Sequence, residues 1–389
     1  MPHTPLFQQL ETLPSLVEQM VPALVDAIAD ALPAETAVSI NRVFLTGCGD
    51  SYHAPVNAEL AFELLAGVPC EPMTAMQFAR YAVPFLPAGK QTLVTAVSVS
   101  GAVSRTIEAL RLSRHKQVTT AAITGNRSTP LAKEAAIVIE AAVPPLPDEL
   151  QGIIVPGARS YFASQLALYL LAIHLGQSNG RLTSQQAANL HAEVAAAAPA
   201  IAQTVVNGSD LARRLAQEWH NANHLVFCGA GPNFGTAMFG AAKILEASGE
   251  TAVPQDTEEW AHLQYFGKTA STPTILLNAN GPDTSRALEI ATAAKHIGRR
   301  VAVIAPAGSP LVRTPHADAA FTLPPIRECF SPLLTAVPLL LLADASAELL
   351  QEPYFRGFGG GRNVEGGGGI SRIRSSQQLD EPWSFEVAP

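Results

Sequence analysis

The chain has 389 residues, of which 48% are hydrophobic, 15% charged and 6% aromatic, enough for two α/β domains of about 150–200 residues each. Its net charge of −8 and lack of a basic stripe exclude a nucleic-acid binder, which must neutralise phosphates along a backbone. Cys48, Cys70, Cys228 and Cys329 form no CxxC pair, so they read as reduced thiols of a cytoplasmic protein and not as a zinc or disulfide frame.

Residues 1–40 read as helical, and Met1–Met20 lacks the apolar region of a signal peptide. The first apolar strand begins at Val43 and runs into Gly47-Cys48-Gly49-Asp50-Ser51-Tyr52. A second, Leu93–Val97, runs into Ser98-Val99-Ser100-Gly101-Ala102-Val103-Ser104. In an open parallel sheet, ligands sit beyond the carboxyl ends of the strands. Small residues there admit close backbone N–H groups, hydroxyls add donors, and the following helix presents its positive end. Ser98–Ser104 is therefore expected to cradle a phosphate. The alternative is a plain serine N-cap and turn.

The pattern then repeats. Val43–Tyr52 aligns with Leu225–Phe234, 182 residues on, and Met76–Ala79 falls on Glu258–Ala261 without a gap. Thr183–Trp219 reads as a helical connection. Short apolar runs alternating with helical stretches imply buried parallel sheets covered on both faces. The expected fold is two three-layer αβα domains followed by a glycine-rich tail, with boundaries at 1–180, 181–350 and 351–389.

The repeats divide the chemistry between them. The counterpart of the serine loop, Asn278–Thr284, carries Asp283, which repels a phosphate. The second repeat instead holds Lys243 and Glu246, three apart on one helix face, where the first has Ala61 and Leu64; His262 stands where the first has Arg80. Such a division suits a site shared between halves or subunits. Lys243 and Glu246 also fit an ordinary surface ion pair. His220 and His224 have metal-like spacing but no third ligand nearby, so no metal site is assigned. The Gly47-x-Gly49 and Gly229-x-Gly231 turns invite a dinucleotide reading, with Glu71 as ribose acid, but Tyr52 and Phe234 replace the third glycine. The apolar run Ser331–Ala343 contains Pro332 and Pro338 and is shorter than a membrane span, so it is expected to be a core helix.

Four motifs together carry a family resemblance: Gly47–Tyr52, Leu65-Ala-Gly-Val-Pro-Cys70, Ser98–Gly101, and Lys243-x-x-Glu246 with Glu259-x-x-His262 sixteen residues beyond Glu246. From about residue 20 to 350 the chain resembles the sugar isomerase (SIS) family: the isomerase half of glucosamine-6-phosphate synthase and its free-standing phosphosugar isomerase, deglycase and deaminase relatives. The resemblance implies tandem SIS domains with flavodoxin-like parallel sheets. It also implies a phosphorylated sugar held by Cys48, Gly49, Asp50, Ser51, Ser98, Val99, Ser100, Gly101, Ser104, Val155, Glu259 and Arg372. Glu246 would shuttle a proton between C1 and C2, with Lys243 beside it. His262, reaching in from a neighbouring subunit of a homodimer, would open the ring. No cofactor is called for.

This chain departs from the family in three places. Val103 replaces a threonine, the segment Gln151–Ala158 lacks an acidic residue, and the tail lysine has no counterpart beyond Ser371-Arg-Ile-Arg374. The expected activity is therefore aldose–ketose isomerisation or amine release from a hexose 6-phosphate. The competing reading is a non-catalytic sugar-phosphate sensor.

Overall fold

The computed structural model describes residues 4–358 and 375–385. Helices α1 (Pro5–Glu11), α2 (Leu13–Ala31) and α3 (Ala34–Ala37) lead into the first repeat. It runs β1 (Arg42–Gly47), α4 (Asp50–Ala61), β2 (Cys70–Thr74), α5 (Ala75–Gln77), β3 (Thr92–Val97), α6 (Ser104–Arg114), β4 (Thr119–Thr124), α7 (Pro130–Glu134), β5 (Ile137–Glu140) and α8 (Arg159–Ser178). Helices α9 (Ser184–Ala195) and α10 (Ala197–Trp219) connect to β6 (Leu225–Gly229), α11 (Pro232–Ala247), β7 (Ala252–Asp256), α12 (Thr257–His262), β8 (Pro273–Leu277), α13 (Thr284–His296), β9 (Arg300–Pro306), β10 (Ala319–Leu323) and α14 (Pro332–Leu350).

Two five-stranded parallel sheets result, ordered β2-β1-β3-β4-β5 and β10-β9-β8-β6-β7. Taken within each repeat, both are 2-1-3-4-5, the flavodoxin-like order. Strands β3 and β4 are buried at every residue, as uninterrupted apolar runs require when both faces are covered. The repeat holds to the residue: Gly47 pairs with Thr74, and Gly229 with Asp256.

The chain divides into two compact units. One comprises Glu18–Pro144, Ala163–Val194 and the described part of Phe358–Pro389; the other comprises the described part of Met1–Val17, Pro145–Phe162 and Ala195–Gly357. The units are discontinuous where the sequence reading drew contiguous boundaries. In the first-sheet unit, Phe44, Phe78, Val94, Ile107, Leu110 and Leu131 share a core, and Leu379 of the C-terminal segment packs against it. In the second-sheet unit, Val226, Trp260, Leu276, Ile290 and Val303 do the same.

Helix α14 is apolar and long enough to cross a membrane, yet 83% of its most apolar window is buried in the protein. It packs against α10 and α11 within the second-sheet unit, as expected of a core helix. Each buried leucine there contributes about 1.5–3 kcal/mol.

Candidate functional site

In the first-sheet unit, the turn after β1 is set by two glycines with different tasks. A Cβ on Gly47 would lie 2.0 Å from the Ser51 carbonyl oxygen, so only glycine admits the close first turn of α4. Gly49 has φ 58°, ψ −131° and caps α4 with no side-chain hydrogen bond. Its counterpart Gly231 has φ 51°, ψ −131° at the start of α11. The turns are thus duplicated strand–helix junctions. Cys48 Sγ lies 3.8 Å from Thr106 Oγ1, and burial pushes its thiol up. Asp50 Oδ1 lies 3.6 Å from His53 Nδ1.

The serine loop is tightly folded. Gly101 N donates to the Ser98 carbonyl at 3.0 Å, and Gly101 has φ 57°. Ser98 is 3% exposed while Ser100 is exposed. Val103, at the cap position of α6, provides no side-chain cap. The first turn of α6 is thereby left able to face an anion.

The described C-terminal segment lies across this same turn, which the sequence did not foretell. Ser376 N donates to Ser104 Oγ at 3.0 Å. Arg105 Nη2 donates to Ser376 Oγ at 2.8 Å and to the Gln377 carbonyl at 2.9 Å. Arg80 Nη2 reaches that carbonyl at 3.2 Å. Both arginines also pair with Glu108, which is fully buried. Arg372 lies outside the described residues, as do the glycines at 359–361 and 366–369.

In the second-sheet unit, Lys243 and Glu246 are brought together: Nζ donates to Oε2 at 2.5 Å. Lys243 is completely buried, while the Glu246 side chain is 30% exposed. The surface-pair reading fails, because a buried ammonium requires its counterion. Lys243 also sits over the Phe239 ring at 5.1 Å, and Tyr161 stacks on that same ring with centroids 3.7 Å apart. The end of α11 is held by Arg356, which donates to the carbonyls of Leu245 (3.1 Å), Glu246 (3.3 Å) and Ala247 (2.6 Å).

His262 ends α12 with its side chain 62% exposed and Nε2 lying 3.1 Å from Glu258 Oε1. Arg286 bonds the same carboxylate. These bonds, that from Arg286 first and that from His262 second, hold the Glu258 carboxyl below its usual range. Glu259 is exposed, and its amide donates to Asp256 Oδ1 at 3.3 Å. Val155 is half-buried in the loop before α8. That helix begins at Arg159.

The counterpart of the serine loop is acidic, as its sequence implied. Asn278 Nδ2 donates to Asp283 Oδ1 at 2.7 Å. Desolvation raises the carboxyls of Asp283 and Glu328, and Asp283 raises Glu328 further. His220 caps the end of α10, with Nδ1 2.6 Å from the Gln217 carbonyl, and His224 lies beyond that helix. The two imidazoles therefore do not share a helix face. Among the described residues, no group of three His, Cys, Asp or Glu side chains is arranged to hold a metal ion.

Sequence reasoning missed Glu258, Arg356, Tyr161 and the Arg80–Glu108–Arg105 cluster. Arg80 alone carried a signal, as the positional counterpart of His262.

Residues 38–175 match the SIS domain. Over 329 residues the chain is 29% identical to glutamine–fructose-6-phosphate aminotransferase (isomerizing) of Gloeobacter violaceus, covering 82% of this chain and 52% of that protein. The chain therefore spans about half the length of the curated relatives it matches. Its fold is similar to the C-terminal domain of glucosamine-fructose-6-phosphate aminotransferase from Francisella tularensis, with a TM-score of 0.79 at 19% identity over 90% of this chain and 97% of that one. It is also similar to glucosamine-6-phosphate deaminase from Thermotoga maritima, with a TM-score of 0.61 at 17% identity over 87% and 94% of the two chains.

Proposed function

We propose that this SIS-domain chain is an enzyme that moves a proton between C1 and C2 of a phosphorylated ketose or amino sugar, isomerising it or releasing its amine. The observation that carries this reading is the Lys243–Glu246 pair: a fully buried lysine bonded to a carboxylate that keeps 30% of its side chain exposed. An exposed carboxylate edge is open to substrate, while Lys243 fixes its orientation and offsets its charge. Glu246 takes the proton from C1 of the open-chain ketose, giving an enediol, and returns it to C2. With an amine at C2 of an open-chain aldose, Glu246 takes the C2 proton and returns it to C1 through the enolamine, and water then hydrolyses the resulting C2 imine to the ketose and the free amine.

The loops at Cys48–Ser51 and Ser98–Ser104 hold the phosphate through backbone amides and hydroxyls. His262 is exposed and oriented by Glu258, which suits a group that completes the site of a second copy in a homodimer and opens the sugar ring there. The chemistry asked of these residues is proton transfer alone.

The test is proton exchange in deuterated water, followed by NMR at C1 and C2. The substrates are fructose 6-phosphate, glucosamine 6-phosphate and an N-substituted fructosamine 6-phosphate. Exchange that vanishes in Glu246→Gln supports the enzyme and shows which sugar is handled. Ligand-induced stabilisation without exchange points to a sensor; neither response to any of the three rules out the sugar class.

A further inference from the structure

Arg159 is the first residue of α8 and is 6% exposed. Its Nε is sealed from solvent with no hydrogen-bond partner, and among the described residues no carboxylate pairs with it. The other deeply placed arginines also leave one guanidinium nitrogen without a hydrogen bond, but each has partners for the rest of its head group. Arg299, 2% exposed, donates to the carbonyls of Thr269 and Gln264. Arg105 has Glu108 and the C-terminal segment, and Arg356 has three helix-end carbonyls. Desolvation is the one cause acting on Arg159, and it lowers the guanidinium.

Its position compounds the imbalance. The helix is 20 residues long, and its N-terminus carries the positive end of the dipole, where anions are stabilised and cations are not. A buried cation without a counterion is costly, and a cation at this end of a helix is repelled as well. A bound oxyanion relieves both, because guanidinium and helix amides draw it to one place.

The surroundings connect this helix start to the candidate acid. Tyr161, two residues after Arg159, stacks on Phe239 of α11 with an interplanar angle of 5°. Phe239 in turn lies beneath Lys243, the partner of Glu246. All of these residues belong to the second-sheet unit.

We propose that Arg159 and the N-terminus of α8 form an oxyanion subsite, taking a carboxylate or phosphate group of the ligand on which Glu246 acts. The subsite deepens the sugar-phosphate reading and rests on it.

The experiment uses the full chain, wild type and Arg159→Met, with melting curves and calorimetric titration. The probes are inorganic phosphate, fructose 6-phosphate, gluconate and 6-phosphogluconate. Without ligand, Arg159→Met is expected to melt at or above the wild-type temperature, since an uncompensated charge has gone. Its affinity for the recognised oxyanion falls roughly tenfold to a hundredfold. Loss with inorganic phosphate and fructose 6-phosphate identifies a phosphate as the occupant; loss confined to gluconate and 6-phosphogluconate identifies a carboxylate.

Lowered apo melting with wild-type affinity for all four probes would overturn the subsite, as would a wild type that binds none of them. If Arg159→Met does not fold, Arg159→Lys keeps the charge but loses the planar fork, and unchanged affinity for all probes in that variant is equally fatal. Sugar phosphates that bind both forms alike sink the subsite and leave the proposed function standing. Arg159-dependent binding without proton exchange does the reverse.

Discussion

Arg356 donates through Nη2 to the backbone carbonyl of Glu246 at 3.3 Å. The first repeat contains the same device, because Arg181 Nε donates to the Leu64 carbonyl at 3.0 Å, and Leu64 is the counterpart of Glu246 at the 182-residue offset. Each arginine crosses a left-handed glycine, Gly67 (φ 67°) or Gly249 (φ 79°). A Cβ on either would strike the arginine side chain, at 2.8 Å and 2.3 Å. One clamp ends a helix that bears only leucine at this position; the other ends the helix that bears the candidate acid.

The duplicated clamp separates a structural role from a positioning one. Arg356→Ala and Arg181→Ala should both lower the melting temperature. Only Arg356→Ala should also lower turnover, by about tenfold to a hundredfold, because the Glu246 carboxylate is no longer held in register. Melting curves and steady-state kinetics on both variants check this; equal kinetic effects would remove the positioning role.

The Lys243–Glu246 pair predicts a strongly non-additive mutant cycle. Glu246→Gln abolishes exchange and leaves a buried ammonium without its counterion, costing about 1–3 kcal/mol after allowance for the exposed carboxylate edge. Adding Lys243→Met should recover most of that stability without restoring activity. Urea unfolding of both single variants and the double variant measures the coupling.

Glycine substitutions should distinguish the two turns proposed to hold the phosphate. Gly49 has open space where a Cβ would go, so Gly49→Ala incurs only the backbone penalty of its φ 58°, ψ −131° conformation, about 1–3 kcal/mol. At Gly101 a Cβ would lie 2.3 Å from Thr129 Cβ, adding about 1–3 kcal/mol of overpacking. Gly101→Ala should therefore lose more stability and more sugar-phosphate affinity, as read by ligand-induced melting shifts.

Stability should fall with rising pH between about 4 and 6 through Asp344. Burial raises this carboxyl from 3.8 to about 6, with Glu348 adding to the rise, while bonds from Thr4 and Tyr354 oppose it. The folded state keeps the proton after the unfolded chain has released it. The contribution is thus fully present below the unfolded value and is lost as pH passes the folded one. The loss amounts to about 3 kcal/mol. Asp344→Asn should flatten this part of the profile, measured by chemical unfolding from pH 4 to 7.5.

Much of the fold was legible because its signals are local. Uninterrupted apolar runs such as Thr92–Val97 must be covered on both faces, and the Gly47-x-Gly49 and Gly229-x-Gly231 turns punctuate strand-to-helix junctions. The internal repeat then predicted which positions correspond, down to Leu64 and Glu246. The Lys243–Glu246 pair could be read from helical spacing, but its burial could not, since spacing says which side chains meet and not what covers them.

The sequence by itself determined that the chain folds as two parallel α/β sheets, that the repeats differ in chemistry, and where strand-end turns and titratable groups fall. These follow from period, run length and residue type, which act over a few residues. Only the tertiary structure decided that Ser376 and Gln377 lie on the start of α6, that Arg80 and Arg105 share the buried Glu108, and that Arg356 holds the Glu246 backbone. It also decided that Arg159 is buried with no carboxylate paired to it among the described residues. Each of these depends on which surfaces meet across long stretches of chain, where burial turns a charge that is unremarkable in sequence into one that needs a partner.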